Sequence, residues 1–191
     1  MRKSLYQETI SSYLAAARNI QSRLNINEIE KLAIALKNTR EANRTVYILG
    51  NGGSASTASH FATDLGVGTL KVCKPVRAVS LTDNMAVITA ISNDKSYESV
   101  FQQQLELLGR EGDLLILISA SGNSKNLISA LNSSRKIGMS VFSMTGFDGG
   151  LLRLMTSDAN VHVPSQLGEY GLVEDAHLSI CHIVTECIRN K

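Results

Sequence analysis

The run DLLILIS (113–119) carries no polar residue from 114 to 118. A strand with one face in water alternates apolar and polar residues, so an unbroken apolar run of this kind suits a strand covered on both faces. TVYILG (45–50) reads the same way, and VRAVSL (76–81), SVFSMTG (140–146) and NVHVP (160–164) are further strand candidates. Between them, apolar residues recur at helical spacing over 54–66, 83–92, 98–109, 124–137 and 149–156, and a last helix covers 171–189. Strands alternating with helices imply a parallel sheet with right-handed crossovers. The two prolines, Pro75 and Pro164, both fit strand boundaries.

Two more helical patterns precede the first strand. Residues 4–23 space Leu5, Ile10, Leu14, Ala17 and Ile20 along one face, and 27–39 do so with Ile29, Leu32, Ala33 and Leu36. The expectation is one α/β domain over 1–191, with an N-terminal helical arm (1–40) ahead of a doubly wound, three-layer core (45–191). A hydrophobic content of 43% suffices for one such core. The charge is nearly balanced, 19 Lys+Arg against 17 Asp+Glu, and no basic block stands out, which argues against a nucleic-acid surface. The N-terminus lacks the apolar core of a signal peptide, and no stretch reaches the length of a membrane span. The three cysteines form no CxxC pair, so neither a disulfide framework nor a zinc ribbon is expected. Together these features describe a cytoplasmic, globular protein without membrane or nucleic-acid partners.

In sheets of this kind, ligands bind beyond the carboxyl ends of the strands. Two of those ends carry closely related sequences, GNGGSA (50–55) and SASGNS (119–124), and each leads into a helix. Glycine lets backbone approach an anion closely, free N–H groups and the helix dipole favour negative charge, and serine hydroxyls add donors. GNGGSA also fits the loose dinucleotide pattern GxGxxA. That fingerprint needs an acid about 20 residues on to hold a ribose. The sequence there is GTLKVCKPV, and the next acid is Asp83. Serine and glycine are also ordinary turn and N-cap residues, but two matching loops point to a phosphomonoester.

Behind the first loop, His60 and Asp64 are four apart and share a helix face. In the closing helix, Glu174 and His182 are eight apart, a little over two turns, and are expected to reach a common cleft. Imidazole with carboxylate suits zinc or a similar divalent ion, and equally suits metal-free proton transfer. His162 and His177 read as packing residues, and Asp175 and Glu186 as solvated charges.

GNGGSA, HFATDL, SNDKSYESVFQQQL, GREGDLLILISASGNS, TGFDGG and the closing histidine helix occur in one order. Together they resemble the SIS-domain phosphoheptose isomerases over essentially the whole chain. The resemblance implies a five-stranded parallel sheet flanked by helices and a homotetramer with active sites at subunit interfaces. It also implies conversion of sedoheptulose 7-phosphate to D-glycero-D-manno-heptose 7-phosphate, a precursor in lipopolysaccharide synthesis. By position, the family's phosphate-binding residues fall on Ser54, Ser119, Ser121 and Ser124, with Asn51, Gly52 and Gly53 in the first loop. A further polar pair falls on Asn93 and Asp94. The catalytic and metal-binding set, with zinc the expected ion, falls on His60, Asp64, Glu174 and His182. Asp64 takes the role of base, His182 that of acid, and Glu174 also faces substrate.

Three positions depart from the family's usual pattern. It has glutamate at the place of Asp64, glutamine at that of Glu174, and an arginine where this chain reads GVGTL. A changed sugar is the preferred reading, because both replacements keep oxygen donors and both histidines remain. The alternatives are an isomerase of another phosphosugar and a non-catalytic SIS protein, either a sugar-phosphate-binding regulator or a partner of the replication initiator.

Overall fold

The computed structural model describes residues 4–156 and 159–190, so the first three residues of the expected arm lie outside it. Five strands form one parallel sheet: β1 (Thr45–Gly50), β2 (Arg77–Ser80), β3 (Leu114–Ser119), β4 (Ser140–Thr145) and β5 (Asn160–His162). Their order is β2-β1-β3-β4-β5, and all four pairings are parallel. β3 is central and buried at every position, as its unbroken apolar run requires. The edge strand β2 stays largely open on its outer side.

Side chains alternate between two cores, as the period of a strand dictates. Val46, Ile48, Leu114, Ile116, Ile118 and Met144 face one of them. There they meet α2 (Ile26–Glu41), α3 (Gly53–Gly66) and α8 (Tyr170–Arg189) through residues such as Leu32, Leu36, Phe61, Ile180 and Val184. Tyr47, Leu49, Leu115 and Leu117 face the other core, against α5 (Val100–Leu108), α6 (Lys125–Ile137) and α7 (Gly150–Met155). α1 (Leu5–Ser22) packs on α8, and α4 (Met85–Asp94) follows β2. The result is the expected three-layer sandwich with its helical arm.

Two details differ from the sequence expectation. The helix expected over 98–109 opens as a 3₁₀ turn, Tyr97–Ser99, because Ser96 before it is fully extended and delays the α-helical start to Val100. β5 stops at His162: Val163 still donates to the Thr145 carbonyl at 2.8 Å, but β4 ends there and its chain leaves the extended conformation at Phe147, with φ +52.

Ser4 and Gln7 cap α1 with a reciprocal box, and Asn25 caps α2. Neither α3 nor α6 has a side-chain cap at its N-terminus. Both start at the carboxyl edge of the sheet, after β1 and β3, so two sets of first-turn N–H groups converge there.

Candidate active site

β1 passes into α3 through Asn51 and Gly52. Gly52 has φ +54 and ψ −123, a backbone conformation that residues with a side chain rarely adopt. The tight turn sets Ser54 at the mouth of the sheet, and β3 delivers Ser119, Ser121 and Ser124 beside it. Together with Asn51, Tyr170 and Glu174 these serines line one cavity of ≈ 170 Å³. Ser54 and Ser119 are each only 5% exposed. Ser119 Oγ accepts from the Gly122 N–H at 3.1 Å, which leaves its hydroxyl hydrogen free to donate into the cavity. Residues of both serine loops therefore line one pocket.

A second cluster lies further along α3. His60 Nε2 and His182 Nε2 are 3.0 Å apart, and Asp64 Oδ2 lies 3.2 Å from the first and 3.8 Å from the second. The two imidazoles meet edge to face. All three side chains keep solvent access, at 45%, 29% and 53% for His60, Asp64 and His182. Donors around a tetrahedral zinc with bonds of about 2.0–2.1 Å lie roughly 3.3 Å apart, so three donor atoms at these spacings fit such an ion and leave its fourth position open. Without an ion, two facing nitrogens at this distance must share one hydrogen, one ring donating and the other accepting.

Glu174 does not join this group. Its carboxylate lies against the Cα of Gly53, in the serine cavity, at a spot that any side chain at position 53 would fill. The physical reason is rise rather than rotation. Eight residues of helix separate Glu174 from His182 by about 12 Å along the axis, which puts them at different levels of the groove between α3 and α8. Glu174 thus lines the serine cavity, and the donor atoms that cluster around His182 are those of His60 and Asp64. Asn93 and Asp94 end α4 and bond each other at 2.9 Å, and they do not line the serine cavity. Gly68, near the position of the family's arginine, lies 4.0 Å from Asp64 Oδ1 when given a Cβ, so that oxygen faces a site with no side chain.

His162 bonds Thr145 Oγ1 through Nδ1 at 3.2 Å, and burial lowers its pKa. His177 is fully buried. Both are packing residues, as the sequence suggests. Asp175 is more than a solvated charge, because it accepts from Tyr13 of α1 at 2.7 Å and raises the pKa of that phenol. Three residues at the site escape sequence reasoning: Tyr170 in the cavity wall, and Asn126 and Tyr97, which both bond Asn51. Asn126 had one available signal, a polar residue at the inward-facing register of α6 shared with Ala130 and Ser133.

A parallel sandwich with paired serine loops at its carboxyl edge defines a class of phosphosugar-binding domain. Residues 12–146 match the family model of the SIS domain. A probable phosphoheptose isomerase of Thermoplasma acidophilum is 36% identical over 179 residues, which cover 94% of this chain and 97% of that one. A phosphoheptose isomerase of Helicobacter pylori is 42% identical over 151 residues, covering 78% and 77%. The solved structure of a phosphoheptose isomerase from Francisella tularensis superposes with TM-score 0.90 at 30% identity, covering 98% of this chain and 100% of that one. The chain belongs to the phosphoheptose isomerases of the SIS-domain family.

Proposed function

We propose that the protein isomerises sedoheptulose 7-phosphate to D-glycero-D-manno-heptose 7-phosphate, supplying heptose for surface polysaccharide. One observation carries this reading. The serine cavity and the His60–Asp64–His182 cluster sit at two levels of the same α3–α8 groove, Ser54 and His60 being six residues or about 9 Å apart along α3. A phosphate held at one level therefore presents the far end of an open-chain sugar to the other.

The serines, the Asn51 amide and the first-turn N–H groups of α3 and α6 hold the phosphate. That binding, remote from the reacting carbons, keeps C1 and C2 in register. Asp64 turns Oδ2 toward the histidines, and Oδ1 is the free oxygen, so Oδ1 is the base that takes a proton from C1. His182 gives a proton to the C2 oxygen as the enediol forms, then recovers one from the C1 oxygen while Asp64 returns its proton to C2. His60 orients both groups. These proton transfers belong to the metal-free site; the same three residues would also hold a divalent ion, zinc by the donor set, which when bound would supply polarisation of the carbonyl in place of the proton from His182 Nε2.

The assembly we infer is a homotetramer in the cytoplasm. An apolar groove of ≈ 860 Å³ between α2 and α8, lined by Ile29, Ile34 and Ile183 with His182 at its edge, supports subunit packing beside the site. Among the described residues, no helix is long and apolar enough to cross a membrane.

The test of function is His182→Ala. Loss of the general acid should cut turnover of sedoheptulose 7-phosphate by about 10²–10⁴-fold while leaving the affinity for the sugar phosphate unchanged. Unaltered turnover would sink the assignment.

A further inference from the structure

Asn51 is not a free amide at the rim of the serine cavity. Its Oδ1 accepts from the Tyr97 hydroxyl at 2.8 Å and from Asn126 Nδ2 at 2.9 Å. Its Nδ2 donates to Asn126 Oδ1, also at 2.9 Å. A carboxamide offers two lone pairs on oxygen and two hydrogens on nitrogen. Three of the four are committed here, and the one left over is an Nδ2–H on a side chain that lines the cavity. Held this way, Asn51 presents the cavity with a donor and no acceptor, which is what an anion requires.

The holding residues come from separate parts of the chain. Asn126 is 3% exposed in the first turn of α6, two residues after Ser124. Tyr97 lies in the turn that follows α4, a turn also tied to α6 by the Lys125–Glu98 ion pair at 3.0 Å. The amide pair thus joins the first serine loop to the helix that carries the second. A rotation of Asn51 would turn its oxygen toward the bound group and repel it.

We propose that Asn126 and Tyr97 are positioning residues of the phosphate site. They fix the Asn51 carboxamide nitrogen-first toward the phosphate and hold the two serine loops at one spacing. The inference rests on the reading of the cavity as the phosphate site, and neither residue is given contact with the reacting carbons.

The experiment measures the Kd of inorganic phosphate by calorimetry, and kcat and KM for sedoheptulose 7-phosphate. It compares wild type, Asn126→Ala, Tyr97→Phe, Asn51→Ala and the Asn51→Ala/Asn126→Ala double variant. Loss of one charge-assisted contact predicts that Asn126→Ala raises both Kd and KM about 10-fold, with kcat within about 2-fold of wild type. Tyr97→Phe, which keeps the amide pair, should raise them about 3-fold. The double variant should be no worse than Asn51→Ala, because nothing remains to be positioned. Losses that multiply in the double variant, or an Asn126→Ala loss confined to kcat, overturn the proposal. Should Asn126→Ala not fold, Tyr97→Phe alone and combined with Asn51→Ala carries the same comparison, and a wild-type Kd in Tyr97→Phe then overturns it. Phosphate binding that fails in Asn51→Ala and Ser119→Ala but survives in the Asn126 and Tyr97 variants rejects this inference alone. Failure of wild type to bind phosphate rejects the underlying reading with it.

Discussion

Lowering the pH should destabilise this protein through one histidine that takes no part in the chemistry. His177 has no exposed surface, and neither ring nitrogen has a hydrogen-bond partner. Burial pushes its pKa from the ordinary 6.5 down to about 4; the Thr145 backbone offsets part of this, and His162 nearby adds a smaller push downward. The unfolded chain therefore binds the proton first. Stability is complete above pH 6.5 and falls with pH toward the folded-state value, by about 2 kcal/mol at pH 5 and about 3 kcal/mol at pH 4. His162, whose pKa is also lowered, adds to the loss with the same sign. His177→Leu removes the titration together with two unpaired nitrogens. Urea unfolding at fixed protein concentration, run from pH 7 to pH 5, should show the variant gaining about 2 kcal/mol on wild type over that interval. Parallel curves for the two proteins would refute the reasoning, since they would mean that His177 titrates alike in the folded and unfolded chain.

Two further outcomes follow from the site. Glu174→Gln removes a carboxylate from the wall of an anion cavity, so the affinity for inorganic phosphate at pH 7.5 should rise, on the order of 10-fold, and fall back on adding salt. Calorimetry that finds weaker binding instead would show that the charge holds a cation for the phosphate. Metal analysis of the purified protein should find about one zinc per chain in wild type and none in His60→Ala, with unchanged circular dichroism. Equal metal content in both would remove His60 from the ligand set.

Much of this architecture is legible in the order of residues, for identifiable reasons. β1 and β3 announce themselves because strands buried on both faces need no polar residue. The two serine loops show as a pair because each must leave a strand and enter a helix while approaching the same ligand. The His60–Asp64 pair is local, one helical turn. Its meeting with His182 is not, since it depends on α3 and α8 packing side by side, 122 residues apart. The level of Glu174 in the groove is hidden in the sequence for the same reason. Rotation about a helix is readable from spacing, but the level at which each residue faces its neighbour is set by how the two helices align. Asn126 and Tyr97 are harder still, because their bonds to Asn51 span 75 and 46 residues, and the inward register of Asn126 on α6 marks it as buried without naming its partner. The departures at Asp64 and Gly68 are visible in sequence, and the structure adds that they adjoin: Gly68 leaves open the space beside the free carboxylate oxygen of Asp64.

The central claim is proton transfer between C1 and C2 of a phosphorylated ketose. Incubating the protein with sedoheptulose 7-phosphate in D₂O and following the products by NMR tests it directly. Wild type should form an aldose heptose 7-phosphate that carries deuterium at C2 to the extent that the solvent-accessible Asp64 carboxyl exchanges its proton before returning it, and His182→Ala should not. A sugar that is recovered unchanged, with no deuterium at C1 or C2, would contradict it.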